Sequence, residues 1–268
     1  MAEMKTFRCA LVTGASSGLG EEFALQLASR VEHLVLVARR QEVLDRVADL
    51  IQEVHPEVSV SVLVTDLVDS SNRDWLVKTL AEKEWVPDLL VNNAGLGDYG
   101  EFATAEWPKI ESMMRVNMEA LTHLTHALVP GMIAQESGAV MNVSSLASIL
   151  PIPDFAVYAA TKAYVTSFSE ALRIELGPNG IPVLAVCPGP VHTEFGGVAM
   201  REDGKNKMPR NEAFYVSKEQ VVRESLWALD GNKARVYPHL KTAAAAMVIS
   251  AIPIVLLRLA MGRRPRKK

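Results

Sequence analysis

Cys9-Ala10-Leu11-Val12-Thr13-Gly14-Ala15-Ser16-Ser17-Gly18-Leu19-Gly20 is a short apolar run that breaks into a glycine-rich turn and continues into a stretch of helical length. The three glycines divide the work of such a turn. Gly14 permits the tight reversal, Gly18 lets the backbone approach an anion such as a pyrophosphate, and Gly20 lets the helix lie close to the strand, with the helix N-terminus left to stabilise the negative charge. A glycine-rich turn alone carries little information. Its place after the first apolar run of an alternating series is what gives it meaning.

That series continues outward from the turn. Cys9 to Val12, Leu34 to Val37, Val60 to Val64, Leu89 to Val91, Ala139 to Val143 and Val183 to Val186 are Val- and Leu-rich runs without polar alternation, the pattern of strands buried on both faces. Between them lie helical stretches at Gly20 to Ser29, Gln41 to Val54, Arg73 to Glu84, Trp107 to Met132 and Tyr158 to Leu176. The alternation predicts an α/β fold: a doubly wound parallel sheet in three layers, one domain over residues 1–240 and a hydrophobic then basic extension over 241–268. Gly196 to Asn211 reads as a long aperiodic loop, and Ser217 with Gln220 as a capping box that starts a further helix through Leu229.

Composition narrows the function. With 49% hydrophobic and 22% charged residues and a net charge of −3 in 268 residues, the chain is neither disordered nor a dedicated nucleic-acid binder. Its two cysteines, Cys9 and Cys187, have no CxxC partner, so a zinc site or disulfide framework is not expected. His123 and His126 stand three apart on one helix without an accompanying carboxylate or thiol pattern, and no metal is assigned to them. The first residues lack the apolar stretch of a secretion signal, so a cytoplasmic location is expected.

Two further patterns carry chemistry. Eighteen residues past Gly20, where an acidic side chain would accept from a ribose 2′-hydroxyl, stand Ala38, Arg39 and Arg40. Guanidinium groups there suit a 2′-phosphate, which favours NADP over NAD; a solvated arginine pair at a strand end is the plainer reading. Asp66, ending the third strand, is a candidate for the adenine edge or for capping a turn. Tyr158 and Lys162 are spaced i, i+4, which on a helix brings an ammonium near a phenol, and a nearby cation lowers a tyrosine pKa from about 10. An exposed helix face explains the isolated pair equally well.

Taken together, TGASSGLG at 13–20, Asn92-Asn93-Ala94-Gly95, Asn117, Ser145, the Tyr158-Ala-Ala-Thr-Lys162 stretch and Pro188-Gly189-Pro190-Val191-His192-Thr193 resemble the short-chain dehydrogenase/reductase family, over roughly residues 6 to 230. The resemblance implies that Tyr158 is the proton donor to a carbonyl oxygen, that Ser145 holds that oxygen, and that Lys162 binds the nicotinamide ribose and lowers the tyrosine pKa. It implies that Asn117 holds a water in the proton relay. Gly14, Ser16, Ser17, Gly18, Leu19, Gly20, Arg39, Arg40, Asp66, Leu67, Asn93, Ala94, Gly95, Tyr158, Lys162, Pro188, Gly189, Val191 and Thr193 would then line NADP(H). Ser144 competes with Ser145, and the thirteen-residue spacing to Tyr158 selects the latter. Val31 and Ser148 stand where the family often has glycine. The implied activity is hydride transfer to or from a carbonyl or secondary alcohol of a hydrophobic small molecule, in a homodimer or homotetramer. The competing class is a non-catalytic NADP-binding sensor or assembly protein.

The extension needs its own account. Residues 1–257 hold 22 basic against 31 acidic side chains, whereas Arg258, Arg263, Arg264, Arg266, Lys267 and Lys268 follow with no acid among them. Thr242 to Leu257 would be about 24 Å as a helix, short of a ~30 Å hydrocarbon core, and Pro253 would kink it. A helix packed on the cleft or on a partner subunit, a peripheral anchor on a membrane surface, and a true span are the three readings.

Overall fold

All six apolar runs form parallel strands, and a seventh strand joins them. The computed structural model describes residues 4–201 and 212–262. In chain order the elements are β1 (Phe7–Thr13), α1 (Gly18–Leu27), β2 (Val31–Ala38), α2 (Gln41–Val54), β3 (Ser59–Val64), α3 (Ser70–Glu82), β4 (Leu89–Asn92), α4 (Trp107–Met114) and α5 (Leu121–Ala134). There follow β5 (Ala139–Val143), α6 (Ala156–Leu176), β6 (Val183–Val186), α7 (Phe195–Ala199), α8 (Lys218–Asp230), β7 (Arg235–Val236), α9 (Leu240–Ala251) and α10 (Ile254–Met261). The sheet order is β3-β2-β1-β4-β5-β6-β7, every pair parallel.

Burial on both faces explains why the strands read as unbroken apolar runs. One core joins β1, β2, β4, β5 and β6 to Phe23 and Leu27 of α1, Leu44 and Ile51 of α2, and Leu226 and Leu229 of α8. On the opposite face Leu11, Val35, Leu90 and Val140 meet Leu76 and Leu80 of α3, Leu124, Leu128 and Met132 of α5, and Leu176 of α6. Each fully buried leucine of this kind contributes about 1.5–3 kcal/mol. The result is a three-layer Rossmann-type sandwich with helices on both sides of the sheet.

Most polar groups inside this frame are paired, Arg73 Nε and Asn92 Oδ1 being exceptions. The Asp88 carboxylate accepts from the backbone N–H of Arg8 (2.9 Å) and Cys9 (2.9 Å), fixing the start of β1 to the chain entering β4. Asn92 donates to Thr125 Oγ1 (3.0 Å) and Asn142 Oδ1 (2.9 Å), and Asn142 donates to Ser169 (3.0 Å). The Arg73 guanidinium is buried, donates to the carbonyls of Leu67 (2.8 Å) and Val68 (3.2 Å), and pairs with Glu119. It thereby holds the loop after β3 in place.

Several expectations change in detail. The helix expected from Trp107 to Met132 is divided by a π-helical segment, Arg115–Ala120, that contains Asn117, and it runs on to Ala134 across Pro130. β7 has two residues, too short to register as an apolar run; Ala185 N–H and Cys187 N–H donate to Ala234 and Val236 across it. Ser217 does cap α8 by accepting from Gln220 N–H (3.2 Å), but the Gln220 amide turns to Glu224 instead of completing the box. His123 lies 3.6 Å from Asp74, and among the described residues no cluster of three potential metal ligands occurs. The expected loop from Gly196 begins inside α7, and its stretch 202–211 lies outside the described residues, as do the basic residues 263–268.

The extension forms two helices bent by 108° at Ile252 and Pro253, and no single helix among the described residues is long and apolar enough to cross a membrane. In α9 the buried residues are Thr242 and Ala246; α10 buries none.

Two glycines separate packing from backbone freedom. A Cβ on Gly20 would stand 2.1 Å from the Gly14 carbonyl oxygen, where only backbone could give way. Gly177 has right-handed helical angles (φ −52°, ψ −47°) and nothing within 4 Å of an added Cβ. Gly20→Ala is expected to destabilise the fold by at least ~1–3 kcal/mol, and Gly177→Ala to bring no stabilisation, because the ring of Pro178 disfavours a Cβ at helical angles on the residue before it. Thermal melts check both, and a neutral Gly20→Ala would refute the close approach of α1 to the first turn.

Candidate active site

Strand order reverses between β1 and β4, so the loops leaving their C-terminal ends diverge and open a crevice. The cleft there has a volume of about 550 Å³ and is lined by residues from every loop on that edge. Thr13, the last residue of β1, joins its two sides. Its hydroxyl accepts from the backbone N–H of Asn93 (3.0 Å) and Ala94 (3.0 Å) and donates to the Val91 carbonyl (3.3 Å). The Asn93 amide returns a bond to the Thr13 carbonyl (2.9 Å).

One end of the cleft is built for an anion. Gly14 has φ +67°, and a Cβ on it would lie 2.9 Å from Asn93 Nδ2. Ser17, preceding α1, is extended and its side chain caps nothing, so the first N–H groups of α1 are left to the cleft that Ser16, Ser17, Gly18 and Leu19 line. Uncapped helix N-termini are anion sites. Thr193, from the loop after β6, closes against Gly18, where an added Cβ would be 3.1 Å away.

Arg39 and Arg40 both line this end, yet they are not equivalent. Arg40 donates to the Ser16 carbonyl (2.9 Å) and pairs with Glu194 (3.1 Å). Arg39 is exposed and, among the described residues, makes no hydrogen bond or ion pair. The Asp66 Oδ1 accepts from Val68 N–H (3.0 Å), a turn-capping bond, while Asp66 and Leu67 also line the cleft.

At the other end stand Ser145, Tyr158 and Lys162. Consecutive residues of an extended chain point to opposite sides, so Ser144 turns inward, bonding the Lys162 carbonyl (2.8 Å) and Thr166 Oγ1 (2.7 Å), while Ser145 faces the cleft. The Ser145 oxygen accepts from Ala147 N–H (3.1 Å) at the start of a short 3₁₀ turn, and its hydroxyl neighbours the Tyr158 phenol. Phe155 stacks on the Tyr158 ring at 4.2 Å between centroids, and Phe195 of α7 flanks it at 5.4 Å. Lys162 donates to the Val143 carbonyl (2.8 Å) with its Nζ 5.7 Å from the tyrosine ring centroid.

Burial pushes the Tyr158 phenol up to about 12, partly opposed by the Ser145 hydroxyl, and burial pushes the Lys162 ammonium down to about 8. Desolvation penalises the phenolate, and the ammonium is directed at the Val143 carbonyl. The Asn117 Oδ1 accepts from Leu96 N–H (2.8 Å) and its Nδ2 donates to the Leu96 carbonyl (2.9 Å) and Thr161 Oγ1 (3.0 Å). The side chain thereby positions the wall at Leu96.

Gly95, Pro188, Gly189 and Val191 complete the lining between the two ends, and Leu146 N–H donates to the Pro188 carbonyl (2.8 Å). Sequence reasoning missed Thr13, Thr161 and Glu194. Thr13 stood inside the quoted turn, but its three bonds reach across the sheet and leave no local signal.

The short chain dehydrogenase family pattern matches residues 8–203. A very-long-chain 3-oxoacyl-CoA reductase of Phaeosphaeria nodorum is 36% identical over 181 residues, which are 66% of this chain and 53% of the relative. The chain thus spans about half the length of that fungal protein. A sulfoacetaldehyde reductase of Chromohalobacter salexigens is 36% identical over 192 residues, 70% of this chain and 74% of the relative. Among solved structures, a short-chain dehydrogenase from Sphingobium yanoikuyae in complex with NADPH superposes with a TM-score of 0.79 at 29% identity, covering 97% of this chain and 98% of the other.

The buried ammonium has a measurable cost. A lysine whose folded pKa is depressed destabilises the fold fully below that pKa, and the penalty fades as pH rises from about 8 towards the ordinary 10.5. Lys162→Met is therefore expected to raise the melting temperature at pH 7, with the gain shrinking over that window. A gain that does not vary with pH would show that burial of the charge is not its cause.

Proposed function

This chain belongs to the short-chain dehydrogenase family, and on that premise we propose that it is an NADP(H)-dependent reductase of hydrophobic ketones or aldehydes. The observation that carries the proposal is the pair of neighbouring hydroxyls, Ser145 and Tyr158, at the apolar end of a cleft whose opposite end is an uncapped helix N-terminus with Arg39 beside it. NADPH, when bound, supplies the hydride. Ser16 to Leu19 fit its pyrophosphate, and Arg39 fits the 2′-phosphate with its guanidinium uncommitted. The Sphingobium neighbour, named as an NADPH complex, supports the same cofactor.

The chain's own residues then handle the oxygen and the proton. Ser145, held by Ala147 N–H, donates to the carbonyl oxygen and stabilises the charge that develops on it. Tyr158 gives its phenolic proton to that oxygen, completing the alcohol. A phenol with its pKa near 12 is protonated across the physiological range, the form that reduction requires, whereas oxidation requires the costly phenolate. Lys162, 5.7 Å from the ring, is placed to hold ribose hydroxyls and to return a proton to Tyr158.

Substrate class follows from the wall and not from similarity. The fungal and bacterial relatives are each 36% identical to this chain, yet their names give a very long acyl thioester and a small sulfonate. Leu96, Leu150, Ile152, Phe155, Phe195 and Val198 line the reacting end here. Arg201, nearby, is bound by Asp98 through two bonds of 2.9 and 2.6 Å. Apolar carbonyl compounds fit that wall better than anionic ones.

Consumption of NADPH over a panel of aryl and alkyl ketones, aldehydes and sulfoacetaldehyde tests the reading; turnover of none of them would favour a non-catalytic sensor. Tyr158→Phe should lower kcat by about 10²–10⁴-fold while leaving the NADPH Kd within a few-fold. Ser145→Ala should cost about 10²–10³-fold in kcat. Arg39→Asp should weaken NADPH at least tenfold and NADH little, and equal losses for both would refute the phosphate contact.

A further inference from the structure

We propose that α9, α10 and the basic residues after them dock this protein on an anionic lipid surface, the two helices lying in the headgroup region without crossing the bilayer. The first observation is what the helices leave uncovered. α9 turns Thr242 and Ala246 inward, with Thr242 against Gly189, and presents Leu240, Met247 and Val248 outward at 83%, 75% and 61% exposure. α10 is Ile-Val-Leu-Leu-Arg-Leu-Ala-Met with no buried residue. Its exposed side chains Ile254, Val255, Leu256 and Leu259 occupy an arc of about 200°, since successive residues are rotated by about 100°.

A two-turn helix of this kind is too short to persist in water unaided, so it needs a medium that covers it. The boundary region of a bilayer covers so broad an apolar arc while letting Arg258, which lies within it, reach the headgroups.

Charge selects the kind of lipid. After Asp230 the sequence holds no Asp or Glu, while Arg258, Arg263, Arg264, Arg266, Lys267 and Lys268 follow α9. Apolar side chains interleaved with this cationic run match an anionic interface, which offers both an apolar layer and negative charge. Length excludes a span for either helix: α9 with 12 residues is about 18 Å and α10 with 8 is about 12 Å, against a hydrocarbon core of about 30 Å. The 108° bend at Ile252 and Pro253 prevents the two from acting as one rod.

Flotation of the full chain with vesicles of phosphatidylcholine alone, and of phosphatidylcholine mixed with phosphatidylserine, tests the proposal. Recovery is expected with the anionic vesicles, at least tenfold above the neutral ones, and falling as salt is raised. Val255→Glu with Leu256→Glu should abolish it, and Arg263→Gln with Arg264→Gln should reduce the partition by about fivefold per charge. Val255 and Leu256 are exposed, and an unchanged thermal melt confirms that each variant folds. Equal recovery with neutral and anionic vesicles overturns the recognition of charge. No recovery with either, or a dimer in sedimentation velocity that the two glutamates dissolve, overturns the proposal in favour of a second copy as the occupant.

Discussion

The hydroxyl of Thr13 accepts two backbone N–H groups and donates to one carbonyl, which uses its whole hydrogen-bonding capacity. It sits where the sheet changes direction, between the glycine turn after β1 and the Asn93–Gly95 turn after β4. Both turns must leave the sheet in opposite senses to open a cleft, and both would otherwise expose unpaired backbone groups next to each other. One side chain satisfies those groups and fixes the distance between the turns. The separation of the anion-binding end from the proton-donating end depends on that weld.

The reacting end shows how burial sets the chemistry available to it. Tyr158 and Lys162 lose water together, so the phenol becomes a weaker acid and the ammonium a stronger one. Their values move towards opposite sides of the usual order for the two side chains. The protein compensates with placed polar groups: the Ser145 hydroxyl beside the phenol and the Val143 carbonyl on the ammonium. Aromatic packing by Phe155 and Phe195 keeps the phenol in that environment and also makes the wall apolar. A single cause, exclusion of water, therefore governs both protonation and the character of what binds.

The sheet was legible because strands covered on both faces must be apolar throughout, and all five helical stretches expected between them formed, one of them in two helices. β7 was not, because two residues held by backbone bonds leave no side-chain pattern. The π-helical interruption at Arg115–Ala120 was hidden for the same reason. Within the site, spacing correctly brought Tyr158, Lys162 and Ser145 to one cleft. It could not show where side-chain atoms point: i, i+4 spacing placed Lys162 beside Tyr158 while its ammonium is aimed at Val143, and Asn117 is turned to Leu96. Sequence periodicity locates elements, whereas the direction of a polar atom is decided by whichever distant backbone group needs it.

Ser144 and Ser145 make that distinction acute. Two chemically identical hydroxyls stand side by side, one locked to α6 through the Lys162 carbonyl and Thr166, the other facing the cleft. Only the phase of β5 tells them apart. Insertion or loss of a single residue within β5 would exchange the two, handing the scaffold the working hydroxyl and the cleft the structural one, with no change in the local sequence Ser-Ser. The division of labour between them is thus a property of strand alignment, inherited from the pairing of Asn142 with Asn92 and Ala185, and not of either serine.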